Sequence, residues 1–163
     1  MVDEACFICE DQGLPKGAVR QECRCPRCPT LPLSVSKPSK LVQHIGIHIL
    51  YDPVIRDSNN PCGFCLNVGN LCSICITKGK GRKGALTVDP QKSRCPNAAK
   101  LSITSASKST ASNSCTNALL VCPLCRKGAD PIWKYNMRLH IITAHLTGDI
   151  EQYKDLYKLG AHE

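Results

Sequence analysis

The sequence predicts a small α+β fold that is stabilised by zinc, with C2H2-like fingers, short β-hairpins, short helices and little hydrophobic core. The 163 residues include thirteen cysteines and five histidines, but only two phenylalanines, one tryptophan and four tyrosines. A small domain with so few large apolar side chains usually needs disulfides or metal for stability. Ten of the cysteines also form five Cys-x-x-Cys pairs: Cys6/Cys9, Cys25/Cys28, Cys62/Cys65, Cys72/Cys75 and Cys122/Cys125.

These pairs favour metal coordination over disulfides. Two thiolates separated by two residues can converge on one tetrahedral ion. A dithiol redox enzyme needs a single such pair in a thioredoxin-like setting, whereas five pairs, an odd number of cysteines and nearby histidine pairs indicate coordination. We therefore expect three or four structural Zn²⁺ ions.

The sequence also predicts an intracellular location. Its opening residues carry Asp3, Glu4 and Glu10 in place of the apolar run of a secretory signal. No stretch approaches the ~18 apolar residues of a membrane span, so we expect no membrane partner. Thiols inside the cell stay reduced and available to metal.

Composition divides the chain into six segments. We expect, in order, a Cys-containing segment at 1–22, a C2H2-like finger at 23–50, a Cys-rich β-hairpin zinc module at 51–100, a Ser-rich loop at 101–114, a second C2H2-like finger at 115–146 and an amphipathic helix at 147–163. Short strands are expected at 66–68, 74–77 and 85–88.

The N-terminal finger rests on the pattern Cys-x2-Cys-x15-His-x3-His, which runs from Cys25 through Cys28 and His44 to His48. Residues 40–50 have helical periodicity, and a helix presents both imidazoles of such a pair on one face. Leu41 stands three residues before the first histidine, where a finger carries a core residue. The pattern predicts a zinc ion bound by these two cysteines and two histidines.

The C-terminal finger has the related pattern Cys-x2-Cys-x14-His-x4-His, with Cys122, Cys125, His140 and His145 as ligands. Met137 occupies the core position before the first histidine. In both fingers the stretch between the second cysteine and the first histidine is longer than the usual ~12 residues. We expect this length to loosen the packing of the helix against the Cys-x2-Cys turn, which we call the knuckle.

The remaining thiols allow further all-cysteine sites. Our preferred third site combines Cys62, Cys65, Cys95 and Cys115, and Cys72 is the strongest substitute for either of the last two. A compact alternative is Cys62, Cys65, Cys72 and Cys75, and sequence spacing does not decide between them.

An interleaved arrangement also stays open at the start of the chain. Cys6 and Cys9 could join Cys25 and Cys28 in a Cys-x2-Cys-x15-Cys-x2-Cys site. His44 and His48 would then pair with Cys62 and Cys65, as in cross-braced ubiquitin-ligase or chromatin-reader modules. Cys6, Cys9 and Cys23 are therefore further candidate ligands.

The last predicted element is a helix that begins near Asp149, whose side chain can cap it, and ends at Gly160. Its buried stripe would consist of Ile150, Tyr153, Leu156 and Tyr157, packed on the zinc scaffold.

Several strings resemble uncharacterised Cys- and His-rich C2H2-type proteins of mushroom-forming fungi. They are HIGIHILYD at 44–52, PCGFC at 61–65, CTN at 115–117, CPLC at 122–125 and WKYNMRLH at 133–140. The resemblance covers roughly residues 25–146. It implies zinc binding at the matching positions and, by analogy with C2H2 proteins in general, a nuclear role with nucleic acid.

The net charge of +8 favours an anionic partner, so we considered which residues would contact DNA or RNA. In a DNA-reading finger, helix positions −1, 3 and 6 face base edges. These positions are Lys37, Lys40 and Gln43 in the first finger, and Trp133, Asn136 and Leu139 in the second. Of the latter three, Asn136 can form hydrogen bonds with a base edge, whereas Trp133 is expected to be buried in the core. The basic loop at 78–83 adds possible phosphate contacts at Lys80, Arg82 and Lys83.

The sequence thus favours a DNA-binding, regulatory zinc protein in the nucleus. The alternative is a zinc-braced protein-interaction module with a protein partner and no direct nucleic-acid contact. We expect no enzyme activity and no small-molecule substrate, because PCGFC echoes half of the zinc-deaminase motif without its H-x-E.

Overall fold

A computed structural model describes residues 22–56, 58–79, 84–146, 149–160 and 163, and in these residues the chain forms short helices and three two-stranded antiparallel sheets. The expected small α+β class is confirmed. The strands are β1 (Glu22–Cys25), β2 (Cys28–Ser34), β3 (Ile76–Lys78), β4 (Leu86–Val88), β5 (Leu119–Leu120) and β6 (Ile132–Trp133). The α-helices are α1 (Pro38–Tyr51), α2 (Pro53–Arg56), α3 (Ile103–Ala106) and α4 (Lys134–His145), and 3₁₀ helices span Gly69–Leu71 and Glu151–Leu156.

The first hairpin and α1 follow local sequence signals. Strands β1 and β2 pair with Cys25 opposite Cys28, so the turn between them carries both thiols. Pro38 stands in the first turn of α1, where its fixed φ suits a helix and its missing N–H costs nothing. Leu41, the predicted core residue, and Ile45, one turn later, are each 1% exposed.

The middle of the chain is mostly turns. At the Cys62–Cys65 knuckle the amide of Leu66 donates to the carbonyl of Cys62 at 2.9 Å, and Leu66 has a left-handed φ of 64°. The chain therefore reverses where we expected a strand at 66–68, and that prediction is wrong. The other two expected strands form the β3–β4 hairpin, in which Ile76 pairs with Val88.

Part of the Ser-rich segment differs from the expected loop. Residues Ile103–Ala106 form α3, whose first turn is capped by the side chain of Ser102, which accepts from the amide of Ser105. Ile103 and Ala106 are buried, and the carbonyl of Leu101 accepts a hydrogen bond from the amide of Val88 at 2.9 Å. This segment packs against the β3–β4 hairpin.

The apolar core is larger than the sequence suggested. One cluster of twenty buried residues, counted over the described part of the chain, extends from α1 through the middle segment to Trp133. Five of its members are cysteines: Cys25, Cys62, Cys65, Cys95 and Cys115. A buried thiol packs as a small apolar group, so a count of aromatic residues underestimates this core.

Two close approaches join α1, the middle segment and α4. A Cβ added at Gly46 of α1 would lie 2.8 Å from the ring of Tyr135 in α4. A Cβ added at Gly63, between Cys62 and Cys65, would lie 2.6 Å from the indole of Trp133. Phe64 meets the same indole edge to face, with ring centroids 5.1 Å apart. Glycine is needed at both positions because there is no room for a methyl group.

The C-terminal element is a 3₁₀ helix and is shorter than the predicted helix. The carboxylate of Asp149 accepts from the amide of Glu151 at 3.1 Å, but the N-cap residue of this helix is Ile150 and no side chain caps it, so the predicted capping role of Asp149 is wrong. The four residues of the predicted stripe are partly buried against a second, smaller cluster that contains Cys122, Ile132, Met137 and Ile141. None of the helices in the described ranges has the length and apolar character needed to cross a bilayer.

Gly63→Ala tests the contact between the knuckle and the indole. The added methyl group would overlap the Trp133 ring, and overpacking of this kind costs about 1–3 kcal/mol of unfolding free energy. The matched control is Gly79→Ala, where an added Cβ would meet its nearest neighbours at an ordinary 3.5 Å. Urea denaturation of the two variants measures the difference, and equal midpoints would contradict the tight contact.

Candidate metal centres

Three groups of Cys and His side chains in the described ranges have ligand atoms within 4.8 Å of one another, and each could hold a metal ion. The N-terminal centre consists of Cys25, Cys28, His44 and His48. The middle centre consists of Cys62, Cys65, Cys72 and Cys95, and the C-terminal centre of Cys122, Cys125, His140 and His145. All ten cysteines whose side chains are described are free thiols.

The N-terminal centre is built by the β1–β2 turn and one face of α1. The Nε2 atom of His48 lies 3.3 Å from the sulfur of Cys28, and the rings of His44 and His48 meet edge to face. The Nε2 atom of His44 is buried and has no hydrogen-bond partner among the described residues. A buried polar atom without a partner is costly, so a cation at this point fits the site. Burial and the neighbouring His48 lower the pKa of His44, which favours the neutral imidazole that binds metal.

The C-terminal centre repeats this design with α4. The Nε2 atom of His145 lies 3.5 Å from the sulfur of Cys122 and 3.3 Å from that of Cys125. The Nε2 atom of His140 lies 3.2 Å from the Cys125 sulfur and 3.3 Å from Nε2 of His145. Burial lowers the pKa of His140 as well. Four donors therefore face one point, and the lowered pKa of His140 favours its neutral, metal-binding form.

The middle centre is made of sulfur alone. The Sγ atoms of Cys62 and Cys95 are 3.7 Å apart, and those of Cys65 and Cys72 are 3.4 Å apart, far beyond the ~2.05 Å of a disulfide. Hydrogen bonds from Cys65 and Cys95 lower the pKa of Cys62 to about 3, while the same contact with Cys62 raises the pKa of Cys65. Several buried thiolates can coexist here only if a cation offsets their charge.

Cys115 was the wrong choice for this third group, and the substitute Cys72 takes its place. The Cys115 sulfur accepts a hydrogen bond from the hydroxyl of Tyr135 at 3.4 Å and lies 3.9 Å from the carbonyl oxygen of Val42. Burial raises its pKa to about 11, so it stays a neutral thiol. Cys72 lies in the site because the chain turns after Cys65 and returns to the same site seven residues later.

The other arrangements also differ from the structure. The compact alternative included Cys75, but Cys95 occupies the fourth position, while the amide of Cys75 is bonded to the Ser93 hydroxyl. The interleaved arrangement placed His44 and His48 with Cys62 and Cys65. This pairing is wrong, because both histidines lie beside Cys25 and Cys28. Cys6, Cys9 and the side chain of Cys23 lie outside the described residues.

The residues proposed to contact nucleic acid fall into three groups. Lys37 and Lys40 are exposed at the start of α1, and the ammonium group of Lys40 donates to Gln43 Oε1 and to the Ser112 carbonyl, both at 3.1 Å. Asn136 is 4% exposed, and its amide nitrogen donates to Asn60 Oδ1 at 3.0 Å and to the Pro61 carbonyl at 2.8 Å. The predicted base contact by Asn136 is therefore wrong. Lys80, Arg82 and Lys83 lie outside the described residues.

Sequence reasoning missed two residues beside the N-terminal centre. Arg27, inside the knuckle, donates from Nε to Asp52 Oδ2 at 2.8 Å and from Nη2 to Oδ1 at 3.4 Å. Asp52 Oδ2 in turn lies 3.6 Å from Nδ1 of His48, the ring nitrogen that faces away from the sulfur. The hydrogen bond from Arg27 lowers the pKa of Asp52 and keeps it ionised. The sequence signal that could have revealed this contact is Asp52 itself, an acidic residue one helical turn after His48.

Comparison with known proteins gives no match: no protein-family model, no curated protein and no solved structure resembles the chain closely enough to be assigned. The resemblance to fungal C2H2-type proteins therefore stays a prediction.

Cys72→Ser and Cys115→Ser test the composition of the middle centre. Cys72→Ser is expected to remove one metal ion after a mild chelator wash, because three thiolates hold the ion less tightly than four. Cys115→Ser is the matched control and should keep the full complement, since its thiol lies elsewhere. Native mass spectrometry of both variants measures the stoichiometry, and loss of an ion from the Cys115 variant alone would reverse the assignment.

Proposed function

We propose that the protein binds three structural Zn²⁺ ions and, in this form, acts as a nucleic-acid-binding regulatory protein in the nucleus. The observation that carries the zinc assignment is the convergence of four sulfur or nitrogen donors at each of three places. Thiolate and imidazole together are the ligand set that structural zinc sites use.

The distances support zinc in particular. Tetrahedral geometry with Zn–S bonds of 2.3 Å requires sulfur atoms ~3.8 Å apart, and Zn–N bonds of about 2.05 Å require sulfur and nitrogen ~3.5 Å apart. The middle centre has sulfur pairs at 3.4 and 3.7 Å, and the C-terminal centre has sulfur–nitrogen pairs at 3.2 to 3.5 Å. Each centre thus needs only small adjustments to accept the ion.

A structural role follows from the closed ligand sets. Each ion would have four protein ligands, which leaves no open position for the water or substrate of a catalytic zinc site. Structural zinc supplies about 10–16 kcal/mol of apparent binding free energy in finger peptides, which is comparable to the whole net stability of a typical domain. We therefore propose a binding protein and not an enzyme.

Charge supports a nucleic-acid partner. The chain carries a net charge of +8, and α1 begins beside Lys37 with Lys40 in its first turn and no acidic residue there. Helix N-termini favour anions, and lysine side chains strengthen that preference for phosphate. DNA is the partner we propose, with contacts at the start of α1 and at the basic loop.

A protein-interaction module is the second candidate, and one observation favours it. Ile47 and Tyr51, one turn apart on α1, are 53% and 62% exposed. They line one groove together with Leu50 and Glu163, and a neighbouring groove that shares Leu50 is lined by Arg138 and Lys158. Exposed apolar surface bordered by charge is typical of interaction sites, and the cations here suit an acidic peptide with apolar side chains.

Removal of metal tests the structural role. Purified protein is expected to carry three zinc ions by native mass spectrometry and to lose most of its circular dichroism and its cooperative thermal transition when a chelator is added. Re-addition of zinc should restore both, whereas magnesium should not, because it prefers oxygen ligands. A compact, cooperatively melting metal-free protein would refute the proposal.

Charge reversal at α1 tests the nucleic-acid role. Lys37→Glu with Lys40→Glu should weaken binding to a mixed-sequence duplex and lower the salt slope by about two, since each lysine accounts for roughly one phosphate. The control, Lys100→Glu with Lys127→Glu, changes net charge equally at exposed positions outside α1. Fluorescence anisotropy at several salt concentrations measures both. A shallow slope, identical in the two variants, would favour the protein-interaction candidate.

A further inference from the structure

The N-terminal and C-terminal centres have the same donors, two cysteines and two histidines, but different surroundings. At the N-terminal centre an ion pair crosses from the knuckle to the end of α1. Arg27 stands between the two cysteines of the turn, and Asp52 is the residue directly after α1. The pair therefore connects the two elements that supply the ligands.

Asp52 is well placed to act on His48. Its side chain is 13% exposed, and that of His48 is 16% exposed, so the contact is shielded from water. Oδ2 lies 3.6 Å from Nδ1, which is longer than a hydrogen bond, so the carboxylate acts on the ring as an oriented negative charge. That charge favours the tautomer with its proton on Nδ1 and leaves Nε2, 3.3 Å from the Cys28 sulfur, as the electron-pair donor.

Asp52 is itself held in place from two sides. Arg27 donates to both carboxylate oxygens, and the amide of Val54, in α2, donates to Oδ1 at 3.0 Å. These three hydrogen bonds fix the carboxylate without help from the histidine. The orientation of His48 can therefore follow that of Asp52.

The C-terminal centre carries different residues at the equivalent positions. Leu124 stands directly before its second cysteine, where the N-terminal centre has Arg27. Asp149 follows His145 by four residues, as Asp52 follows His48, but its carboxylate accepts from the amide of Glu151 at the start of the 3₁₀ helix. The chain thus offers an internal comparison between two centres with one donor set.

We propose that Asp52, held by Arg27, is a positioning residue that orients His48 and makes the N-terminal centre the tighter of the two Cys2His2 sites. The inference rests on the proposed zinc binding and goes beyond it by ranking the sites. Carboxylates that orient metal-binding histidines typically contribute 10- to 100-fold in metal affinity. When zinc is withdrawn, the C-terminal centre should release its ion first.

The test uses three variants of the full chain: Asp52→Asn, Arg27→Met and Asp149→Asn. Zinc release to a chromophoric chelator should show that Asp52→Asn lowers the affinity of one ion by roughly 10- to 100-fold, with a smaller loss for Arg27→Met. Asp149→Asn should leave all three affinities unchanged. ¹⁵N NMR of the histidine rings supplies a readout that a purely structural role would not move, because loss of the carboxylate should shift the tautomer of His48 but not that of His145.

Failure of this inference and failure of zinc binding are distinguishable. Wild-type protein that binds no zinc would overturn both. Three bound ions with unchanged affinity and an unchanged His48 tautomer in Asp52→Asn would overturn only the positioning role. If Asp52→Asn misfolds, Arg27→Met decides, since it leaves the bond between Asp52 and Val54 in place. An Arg27→Met protein with wild-type release kinetics would then contradict the proposal.

Discussion

The convergence of sulfur and nitrogen donors at three places, one buried and two partly buried, is the constraint on which the rest of this structure depends. Thiolates cannot share a buried site unless a cation offsets their charge, and neutral imidazole nitrogens need a partner when water is excluded. The buried Nε2 atom of His44, which has no hydrogen-bond partner among the described residues, and the four clustered thiols of the middle centre both show this requirement.

The three centres belong to one packed unit and are not independent finger domains. Gly46 lets α1, which carries His44 and His48, approach Tyr135 at the start of α4. Gly63 sits inside the Cys62–Cys65 knuckle and packs on Trp133, directly before the helix that carries His140 and His145. A change at one centre can therefore reach another through an aromatic ring and a glycine. This fusion also explains why Asn136, at a base-reading position in an isolated finger, is buried against Asn60 and Pro61.

Sequence reasoning succeeded where the site is local and failed where it depends on long loops. A Cys-x2-Cys knuckle and a histidine pair on one helix face define their geometry within a few residues, so the ligand groups of both fingers were predictable. The choice between Cys72 and Cys115 depends on how the chain turns at Leu66. A leucine at that position does not indicate such a turn, because leucine seldom adopts a left-handed φ. The apolar core was underestimated because cysteine was counted as a ligand only, although Cys62 and Cys65 are also packed apolar groups.

The unequal cores suggest how the parts depend on metal to different degrees. The N-terminal and middle centres share the larger cluster, where Leu41, Ile45 and Phe64 bury apolar surface in addition to the ligands. The cluster at the C-terminal centre contains four buried residues, and much of its cover comes from partly buried side chains at 150–157, among them Tyr153 and Tyr157. Apolar burial contributes roughly 25 cal/mol per Å², so a cluster this small offers little to offset the entropy of ordering α4. An ion coordinated by Cys122, Cys125, His140 and His145 would then supply much of the stability at that end of the chain.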